Sequence, residues 1–400
     1  MVGDGKADRL RILVLPSWFP PDGGEFFLEQ AENLCSESTR VHILVNRLTG
    51  ITSGVRAFAG AKKITLQQEG CVRIFRSGTR KWPRTERLNI RRWARRYLKL
   101  YKWYESKYGV PDVLIAHSAV WAGYAASGIC ENTGIPMILV EHRSRFALDS
   151  AEARKMIPSW YLPMLREAFA RANTVVTVSS SLIPQIRSIQ PELRAEPLTI
   201  PNLVDTGFFT LPVQARSAEP YVILFVGLLE EVKGIDILLQ AFSQLGPDSR
   251  LRIAGRGSRE KELKILTAKL GLEDRVVFLG QISREQVRDE MQNASVFVLP
   301  SHFEAFGVVL IEAMSTGCPL ISTRSGGPEE IITRECGILV APGNEMELRQ
   351  ALETVRANYR DLDPLAIREL ALAKYSGNVI QKAYFELINN IIHEQGTPGI

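Results

Sequence analysis

The segment 296–312 has the sequence VFVLPSHFEAFGVVLIE and gives the clearest indication of the fold. The four apolar residues Val296–Leu299 are typical of a buried parallel strand. A short loop follows, and Gly307 precedes an apolar run that predicts a helix. Strand, loop and helix in this order form one βα unit. The free N–H groups at such a helix start bind phosphate, because they carry a partial positive charge.

Short apolar runs alternate with helical stretches on both sides of this segment. They lie at 11–15, 41–45, 72–75, 112–116, 137–140 and 174–178, and after a weakly patterned break at 222–226, 251–254, 276–279 and 320–322. Such alternation predicts parallel sheets. We therefore expect an α/β fold of two Rossmann-like domains, 1–205 and 206–375, facing each other across a cleft. A last helix within 376–400 should pack back toward the first domain.

Length and composition fit two soluble domains. The 400 residues are 45% hydrophobic and 23% charged, which is enough to bury two ordinary cores. No apolar run reaches the roughly 18–20 residues that span a bilayer, and the polar segment Met1–Arg11 lacks the core of a signal peptide. A cytoplasmic protein is expected. The five cysteines form no Cys-x-x-Cys pair, so we expect reduced, buried thiols and neither a disulfide framework nor a zinc site.

Charge is divided unequally along the chain. Residues 1–200 contain 29 Lys and Arg against 18 Asp and Glu, whereas residues 201–400 contain 20 against 26. The positive excess in the first half predicts an anionic partner. Thirteen of the basic residues lie between Arg73 and Lys107, interleaved with Trp82, Trp93 and Trp103.

A basic helix is predicted over 85–108. Its inward-facing stripe at helical spacing comprises Ile90, Ala94, Tyr97, Tyr101 and Tyr104. One interpretation of the outer surface is a solvated basic face. The other is docking on an anionic membrane, at the inner face of the cell membrane. The residues expected to form that membrane face are Arg92, Arg95, Arg96 and Lys99. No nucleic-acid-binding module is recognisable, so nucleic acid is not an expected partner.

Glycines and a lysine follow predicted strands in the second half. Gly227 follows the strand at 222–226, and Lys233-Gly234 completes the turn. The lysine supplies a point charge for an anion, although such turns are also common surface features. Gly255-Arg256-Gly257 follows the next strand but is too short for the dinucleotide-binding fingerprint.

Four other residues have two interpretations each. Glu304 and Glu312 can accept hydrogen bonds from sugar hydroxyls, or they can be solvated acids at a helix start, where negative charge is favoured. His117 and His142 follow predicted strands, where ligands of open α/β sheets bind, but a single histidine there is often structural.

Taken together, these residues resemble the pattern of glycosyltransferase family 4 on the B-type glycosyltransferase fold. The most specific part is Glu304 and Glu312, separated by seven residues and following Lys233 in order. The resemblance covers nearly the whole chain. Its other matches are the loop with Gly23-Gly24, the strand end 112–117, Glu141-His142, Val178-Ser179, 200–202, Gly227, Gly255, 325–331 and 337–340.

The resemblance implies retaining transfer of a hexosyl group from a nucleoside-diphosphate sugar, UDP- or GDP-linked, without a cofactor or a bound metal. The acceptor would be a glycan or a lipid-linked glycan in cell-surface polysaccharide or glycoconjugate synthesis. The first domain would bind the acceptor and the second the nucleotide sugar. The leaving phosphate would take the acceptor proton on the same face of the sugar.

Residue roles follow from the same resemblance. Lys233 would neutralise the departing diphosphate, Glu304 would hold donor-sugar hydroxyls, and His117 would face the reacting carbon. Glu312 would hold the ribose hydroxyls. The remaining donor-binding residues would be Gly23, Gly24, Gly227, Gly255, Arg256, Phe306, Gly307 and Val308. His142 and Asn202 would line the acceptor site or the cleft.

The chain departs from the family pattern at two positions. Leu228 follows Gly227 where the family usually has arginine, and Leu203 follows Asn202 where it usually has glycine. Arg256 or Arg324 could compensate for the missing cation. Two other classes stay open: a nucleotide-sugar 2-epimerase, which has the same architecture but not the Glu-seven-Glu element, and a non-catalytic nucleotide-sugar-binding partner.

Overall fold

The computed structural model describes residues 9–21, 23–50, 62–82, 85–142, 158–214, 216, 220–358 and 361–396. The chain divides into two compact units. The first comprises Met1–Ile200 and Gln381–Ile400, and the second comprises Pro201–Ile380. The chain therefore leaves the first unit once and returns to it in the last helix.

The first unit is built on an eight-stranded sheet of the described residues with the order β3-β4-β2-β1-β5-β6-β7-β8. Its strands are β1 (Leu10–Pro16), β2 (Thr39–Thr49), β3 (Thr65–Glu69), β4 (Val72–Arg80), β5 (Val113–His117), β6 (Met137–Glu141), β7 (Thr174–Thr177) and β8 (Leu198–Thr199). All neighbouring pairs are parallel except β3 and β4. The predicted parallel strands are confirmed. The antiparallel edge strand β3 was not predicted, because its sequence TLQQE has no apolar face to bury.

The α-helices that the structure describes between these strands of the first unit are five. They are α1 (Glu25–Asn33), α2 (Glu86–Tyr108), α3 (Tyr124–Thr133), α4 (Leu162–Arg171) and α5 (Ile183–Ile189). The predicted basic helix is confirmed as α2. Its buried stripe differs in part from the prediction, because Trp93 and Leu100 are buried and Ala94 is only half-buried. The indole N–H of Trp93 donates to the carbonyl of Asn46, so Trp93 is a core residue and not an interfacial one.

The second unit has a six-stranded parallel sheet of described residues with the order β11-β10-β9-β12-β13-β14. Its strands are β9 (Tyr221–Val226), β10 (Ser249–Ala254), β11 (Val276–Gly280), β12 (Val296–Leu299), β13 (Leu320–Thr323) and β14 (Gly337–Val340). Its helices are α6 (Ile235–Ser243), α7 (Glu260–Lys269), α8 (Arg284–Asn293), α9 (Val308–Ser315), α10 (Pro328–Ile331), α11 (Glu345–Ala357) and α12 (Pro364–Tyr375). The last helix, α13 (Gly377–Gly396), begins in this unit and continues into the first.

Two cysteines of the first unit are bonded to each other. Cys35 follows α1, Cys71 lies in the turn between β3 and β4, and their Cα atoms are 6.4 Å apart, within the range of a disulfide. The expectation of five reduced thiols is therefore wrong for this pair, because the fold joins two positions that are 36 residues apart in sequence. Cys130, Cys318 and Cys336 are free and buried, as expected. The cysteines no longer indicate a reducing compartment.

Among the described helices, none combines the length and the apolar character needed to cross a bilayer.

Candidate functional site

His117 ends β5 and lies at the carboxyl edge of the first sheet, beside Pro16 of β1. Its side chain is 1% exposed, and its Nδ1 is 2.9 Å from Nε2 of His142, which follows β6. Burial lowers the pKa of His117 to about 3. The imidazole is therefore neutral at neutral pH, and it acts as a hydrogen-bonding group and not as a cation.

The first turn of α1 packs aromatic rings against these histidines. The Phe27 ring lies 4.5 Å from that of His117, and the Phe26 ring lies 5.2 Å from that of His142. Gly24 has φ of 89° and begins α1. A Cβ atom there would come within 2.9 Å of both Phe27 and Trp18, so only glycine fits between the rings.

The backbone after His117 is held in a strained form. Ser118 and Trp121 both have φ of 71°, which is uncommon for residues other than glycine. The carboxylate of Glu141, fully buried, accepts the backbone N–H groups of Ala119 at 2.8 Å and His142 at 3.0 Å. Strain that the surroundings enforce in this way is concentrated at functional sites.

Ser17 joins the ends of β1 and β5. Its Oγ lies 2.8 Å from the carbonyl of His117 and 2.7 Å from that of Val120, and it accepts the N–H of Ala122 at 3.0 Å. Sequence reasoning missed Ser17, because its partners lie about a hundred residues away along the chain. It also missed Trp121, because the irregular turn that contains this residue has no sequence pattern.

In the second unit, Lys233 and Glu304 form an ion pair. Nζ of Lys233 lies 2.6 Å from Oε2 of Glu304, and both side chains are largely buried. Backbone hydrogen bonds fix Glu304, since its N–H donates to Ser325 and its carbonyl accepts from Gly327. The structure therefore brings together two of the predicted catalytic residues, at the carboxyl edge of the second sheet.

The turns after β9 and β10 contact each other through their backbones. The N–H of Gly227 donates to Ala254 at 3.0 Å, and that of Leu229 donates to Arg256 at 3.0 Å. Gly255 has φ of 133°, and a Cβ atom there would lie 1.8 Å from the carbonyl oxygen of Gly227. The close approach of the two turns therefore requires glycine at position 255.

Gly307 directly precedes α9, as predicted, with φ of 95°. Phe306 is buried against Tyr375, with ring centroids 5.9 Å apart, so it supports the loop from behind. Val308 and Glu312 are half-buried, and Glu312 lies just over one turn into the helix. The loop thus presents a helix start and two carboxylates on one short segment.

Leu228 is 64% exposed, so its side chain has room to be larger. Arg256 is also exposed, and Arg324 pairs with Glu347 at 3.6 Å. Asn202 is half-buried at the start of the second unit.

Three of the four residues predicted to form a membrane face are exposed on α2: Arg92, Arg95 and Lys99. The exposed indole of Trp82 lies beneath Arg92, with the guanidinium carbon 5.5 Å from the ring centroid. Arg96 does not belong to this set. Its Nη2 donates to Oγ of Ser77 at 2.6 Å, so it is half-buried and attaches α2 to β4.

Comparison with known proteins gives matches along the chain. The family model described as Glycosyltransferase Family 4 matches residues 24–208, and the one described as Glycosyl transferases group 1 matches residues 210–366. A curated relative is the gpi3 subunit of phosphatidylinositol N-acetylglucosaminyltransferase from Schizosaccharomyces pombe. It is 36% identical over 203 residues, which are 50% of this chain and 44% of that protein. The chain spans about half the length of the curated relatives it matches.

Two solved structures are similar over nearly the whole chain. Sucrose-phosphate synthase from Thermosynechococcus elongatus has a TM-score of 0.80 at 21% identity, over 96% of this chain and 100% of that chain. Anabaena HepE in complex with UDP-glucose has a TM-score of 0.73 at 19% identity, over 96% and 100%. These similarities concern the fold. Together with the two family models, which match the two halves of the chain, they account for both Rossmann-like units. The chain belongs to glycosyltransferase family 4 and has the B-type glycosyltransferase fold.

Proposed function

We propose that this protein is a retaining glycosyltransferase that moves a hexosyl group from a nucleoside-diphosphate sugar to a glycan or lipid-linked acceptor. The observation that carries the proposal is the ion pair between Lys233 and Glu304. Glu304 lies three residues before Gly307, where the helix α9 starts. A half-buried ammonium and free helix N–H groups suit a diphosphate, and a carboxylate suits sugar hydroxyls. The donor would be UDP- or GDP-linked. A solved structure with the same fold is bound to UDP-glucose.

The residues divide the chemistry as follows. Lys233 stabilises the charge that develops on the departing diphosphate, a contribution that is usually large when the donor group is held in place beforehand. Its ion pair with Glu304 keeps both side chains oriented before the donor arrives. The diphosphate then competes for Lys233, and Glu304 turns to the hydroxyls of the sugar.

His117 contributes as a neutral group. A neutral imidazole facing the reacting sugar carbon can accept or donate a hydrogen bond without attracting the diphosphate away from Lys233. The leaving phosphate takes the acceptor proton, so no protein base is required and the new bond forms on the face that the diphosphate leaves. No bound metal takes part, and turnover should therefore persist in EDTA.

The test of the donor site is calorimetric titration of UDP, GDP and ADP into the wild-type protein and into Glu312→Gln. The amide removes a charged acceptor for the ribose hydroxyls, so the Kd of the preferred nucleotide should rise roughly ten- to a hundredfold. Glu273→Gln is the matched control, because Glu273 is an exposed carboxylate of the same unit. Equal affinity in wild type and Glu312→Gln would contradict the ribose role.

Two measurements separate the proposal from its alternatives. An epimerase would convert the donor sugar without any acceptor, whereas the proposed transferase needs one, and a non-catalytic partner would bind nucleotide without turnover. NMR of the product linkage should show the anomeric configuration of the donor. An inverted linkage would remove the retaining mechanism.

We also propose that the protein docks peripherally on an anionic membrane through Arg92, Arg95 and Lys99. These exposed cations lie on one helix beside the exposed Trp82 and Leu88, a composition suited to the interface. The cytoplasmic leaflet supplies such a surface, and each basic residue near it contributes ~1 kcal/mol. The gpi3 relative is a subunit of an enzyme named for the lipid phosphatidylinositol.

Vesicle co-sedimentation tests this docking. Reversing all three cations to glutamate should lower partitioning onto anionic vesicles by more than about a hundredfold, and salt should weaken wild-type binding. The matched control reverses three exposed lysines of the second unit: Lys261, Lys269 and Lys374. Equal binding of wild type to neutral and anionic vesicles, or loss in the control as well, would show that α2 has only a solvated basic face.

A further inference from the structure

A cavity of about 600 Å³ lies on one face of the first sheet, and a smaller one of about 200 Å³ adjoins it. Both are lined within the first unit, and they share Phe19, Pro20, Val45, Arg47 and Arg76. They lie toward the carboxyl ends of β2 and β4 and beside the loop after β1. This is the edge at which open α/β sheets bind ligands.

The position of the two arginines follows from strand register. Val45 pairs with Arg76, and Arg47 pairs with Gly78, so the two guanidiniums come from the same face of neighbouring parallel strands. Gly78 has no side chain and leaves space opposite Arg47. The opposite face is covered by α2, where Asn46 donates to the carbonyl of Trp93 at 2.9 Å. The arginines therefore face the cavity and not the helix.

Neutral groups hold the guanidinium of Arg76 in the cavity wall. Its Nη1 donates to the carbonyl of Pro20 at 2.8 Å, its Nε donates to Oε1 of Gln67 at 3.0 Å, and it lies 5.0 Å from the ring centroid of Phe19. Within the described part of the chain, no carboxylate lies within ion-pair distance of it. Glu69 also lines the cavity, but it acts on Arg76 only from beyond ion-pair distance, so an anion in direct contact would stabilise this half-buried cation further.

The electrostatic surroundings agree with this geometry. Burial lowers the pKa of the Arg76 guanidinium, while the charge of Glu69 raises it and that of Arg47 lowers it. Both burial and the second guanidinium thus disfavour the charged form, and both effects would be offset by a bound oxyanion.

Aromatic rings form the adjoining wall. Trp18 and Trp121, both half-buried, line the smaller cavity, and the Trp121 ring packs edge to face at 5.3 Å on the buried ring of Trp93 from α2. Trp121 is also one of the two residues with a strained positive φ. Flat apolar surfaces next to convergent polar groups are the usual lining of a small-molecule site. The apolar face of a sugar ring suits them.

We infer that this cavity binds the acceptor sugar through an anionic substituent, a carboxylate or a phosphate, held between Arg47 and Arg76, with the sugar ring against the tryptophans. The inference rests on the proposed transferase function, because it names the class of acceptor. Binding of the anionic sugar requires no contact with the donor, so it can be tested separately from nucleotide binding. A uronic acid residue and a sugar phosphate carry the two forms of the anionic group.

The test uses saturation-transfer NMR with glucuronate, galacturonate, glucose 6-phosphate and galactose 6-phosphate, and with the methyl glycosides of glucose and galactose as neutral probes. The preferred anionic sugar should bind at least about tenfold tighter than its neutral counterpart, since hydrogen bonds to charged groups are the strong ones. Binding of the uronates would identify the anionic group as a carboxylate, and binding of the sugar phosphates would identify it as a phosphate.

The variants are Arg76→Gln, Arg47→Gln and the control Arg73→Gln. Arg73 is exposed on the same strand but does not line the cavity, so its loss makes the same change in net charge. Arg76→Gln should lower the affinity for the anionic sugar roughly ten- to a hundredfold, and Arg73→Gln should leave it unchanged. Arg47 is exposed, so Arg47→Gln should keep the fold and still lower the affinity even if Arg76→Gln fails to fold.

Three outcomes overturn the inference: neutral and anionic sugars bind equally, no anionic sugar binds at all, or the folded arginine variants bind like wild type. Nucleotide titration on the same samples separates the two proposals. Nucleotide binding without selectivity for anionic sugars removes only the acceptor class. Selective binding of anionic sugars without nucleotide binding removes only the proposed transferase function.

Discussion

The two units use the carboxyl edges of their sheets in different ways. In the second unit, backbones approach closely at Gly227 and Gly255, and one ion pair, Lys233–Glu304, supplies charge. In the first unit, packed rings surround the neutral His117 and its partner His142, and two arginines face a cavity. The arrangement in the second unit suits a part of the ligand that does not vary, such as a diphosphate. The arrangement in the first unit depends on large side chains, which substitutions can change to suit a different ligand.

The largest effect should come from Lys233→Met. The loss of the ammonium removes charge stabilisation of the leaving diphosphate, so turnover should fall roughly 10²–10³-fold, as for the loss of one oriented donor. Lys261→Met, an exposed lysine of α7, is the control. Steady-state rates at saturating donor measure the effect. Equal rates in wild type and Lys233→Met would contradict the proposed donor role of the charged edge in the second unit.

The glycine contact should be the next most sensitive. Gly255→Ala places a Cβ atom 1.8 Å from the carbonyl oxygen of Gly227 at a φ of 133°, and the strain should destabilise the second unit by about 3 kcal/mol. Gly271→Ala shares the positive φ, 65°, but has open space around it, so it should cost only about 1 kcal/mol. Urea denaturation followed by hydrogen exchange assigns each loss to a unit. A similar loss of stability in both variants would mean that the turns after β9 and β10 can move apart to make room for the added Cβ atom.

Between pH 6.5 and about 4.5, acid should destabilise the first unit selectively, because the second-unit carboxyls with lowered pKa values protonate only below this range. Burial lowers the pKa of His42 to about 4, with the charges of Arg73 and Arg40 acting in the same direction, and it lowers that of His117 to about 3. Between these values and 6.5 the unfolded chain binds more protons than the folded one. Stability is therefore fully present above pH 6.5 and is lost as the pH falls, by up to about 1.4 kcal/mol per pH unit for each histidine.

Denaturation at a series of pH values measures that slope. His42→Gln keeps a hydrogen-bonding group for Tyr104, which lies 2.9 Å from Nδ1, but does not titrate, so the slope should decrease. His393→Gln changes an exposed histidine and should leave it as in wild type. A slope that belongs equally to the second unit would contradict its assignment to His42 and His117.

The smallest effect should come from Leu228→Arg. The exposed position accepts a longer side chain, and the added cation should improve nucleoside-diphosphate affinity by about threefold to tenfold. Leu228→Gln controls for side-chain size. Calorimetry with the preferred diphosphate measures the change. Unchanged affinity in Leu228→Arg would mean that another arginine, such as Arg256 or Arg324, already supplies this charge.

The sequence predicted the second unit better than the first, and the reason is local spacing. Glu304, Gly307 and Glu312 lie on one strand–loop–helix segment, so their proximity follows from chain order. The pairing of Lys233 with Glu304 spans 71 residues, but both follow strands whose ends meet at one edge.

In the first unit, the decisive contacts join positions far apart in sequence and carry no pattern. Arg96 was predicted to lie on the membrane face, but it is bonded to Ser77, and Trp93, which lies among the basic residues in sequence, is buried in the core. The disulfide between Cys35 and Cys71 depends on a hairpin that polar residues form. The cavity arises from strand register, since a shift of one residue would turn Arg47 and Arg76 to the other face.

The last helix has a consequence for the order in which the first unit can be completed. Residues of α13 from Gln381 onward belong to the first unit, where Tyr384, Leu387, Ile388 and Ile391 are buried and Gln381 donates to the carbonyl of Asn33. A ribosome makes these residues only after the entire second unit. The first unit therefore leaves the exit tunnel with part of its apolar surface still open to solvent. That surface is covered only when the residues of α13 have been made, so until then it is a place where the new chain can associate with others.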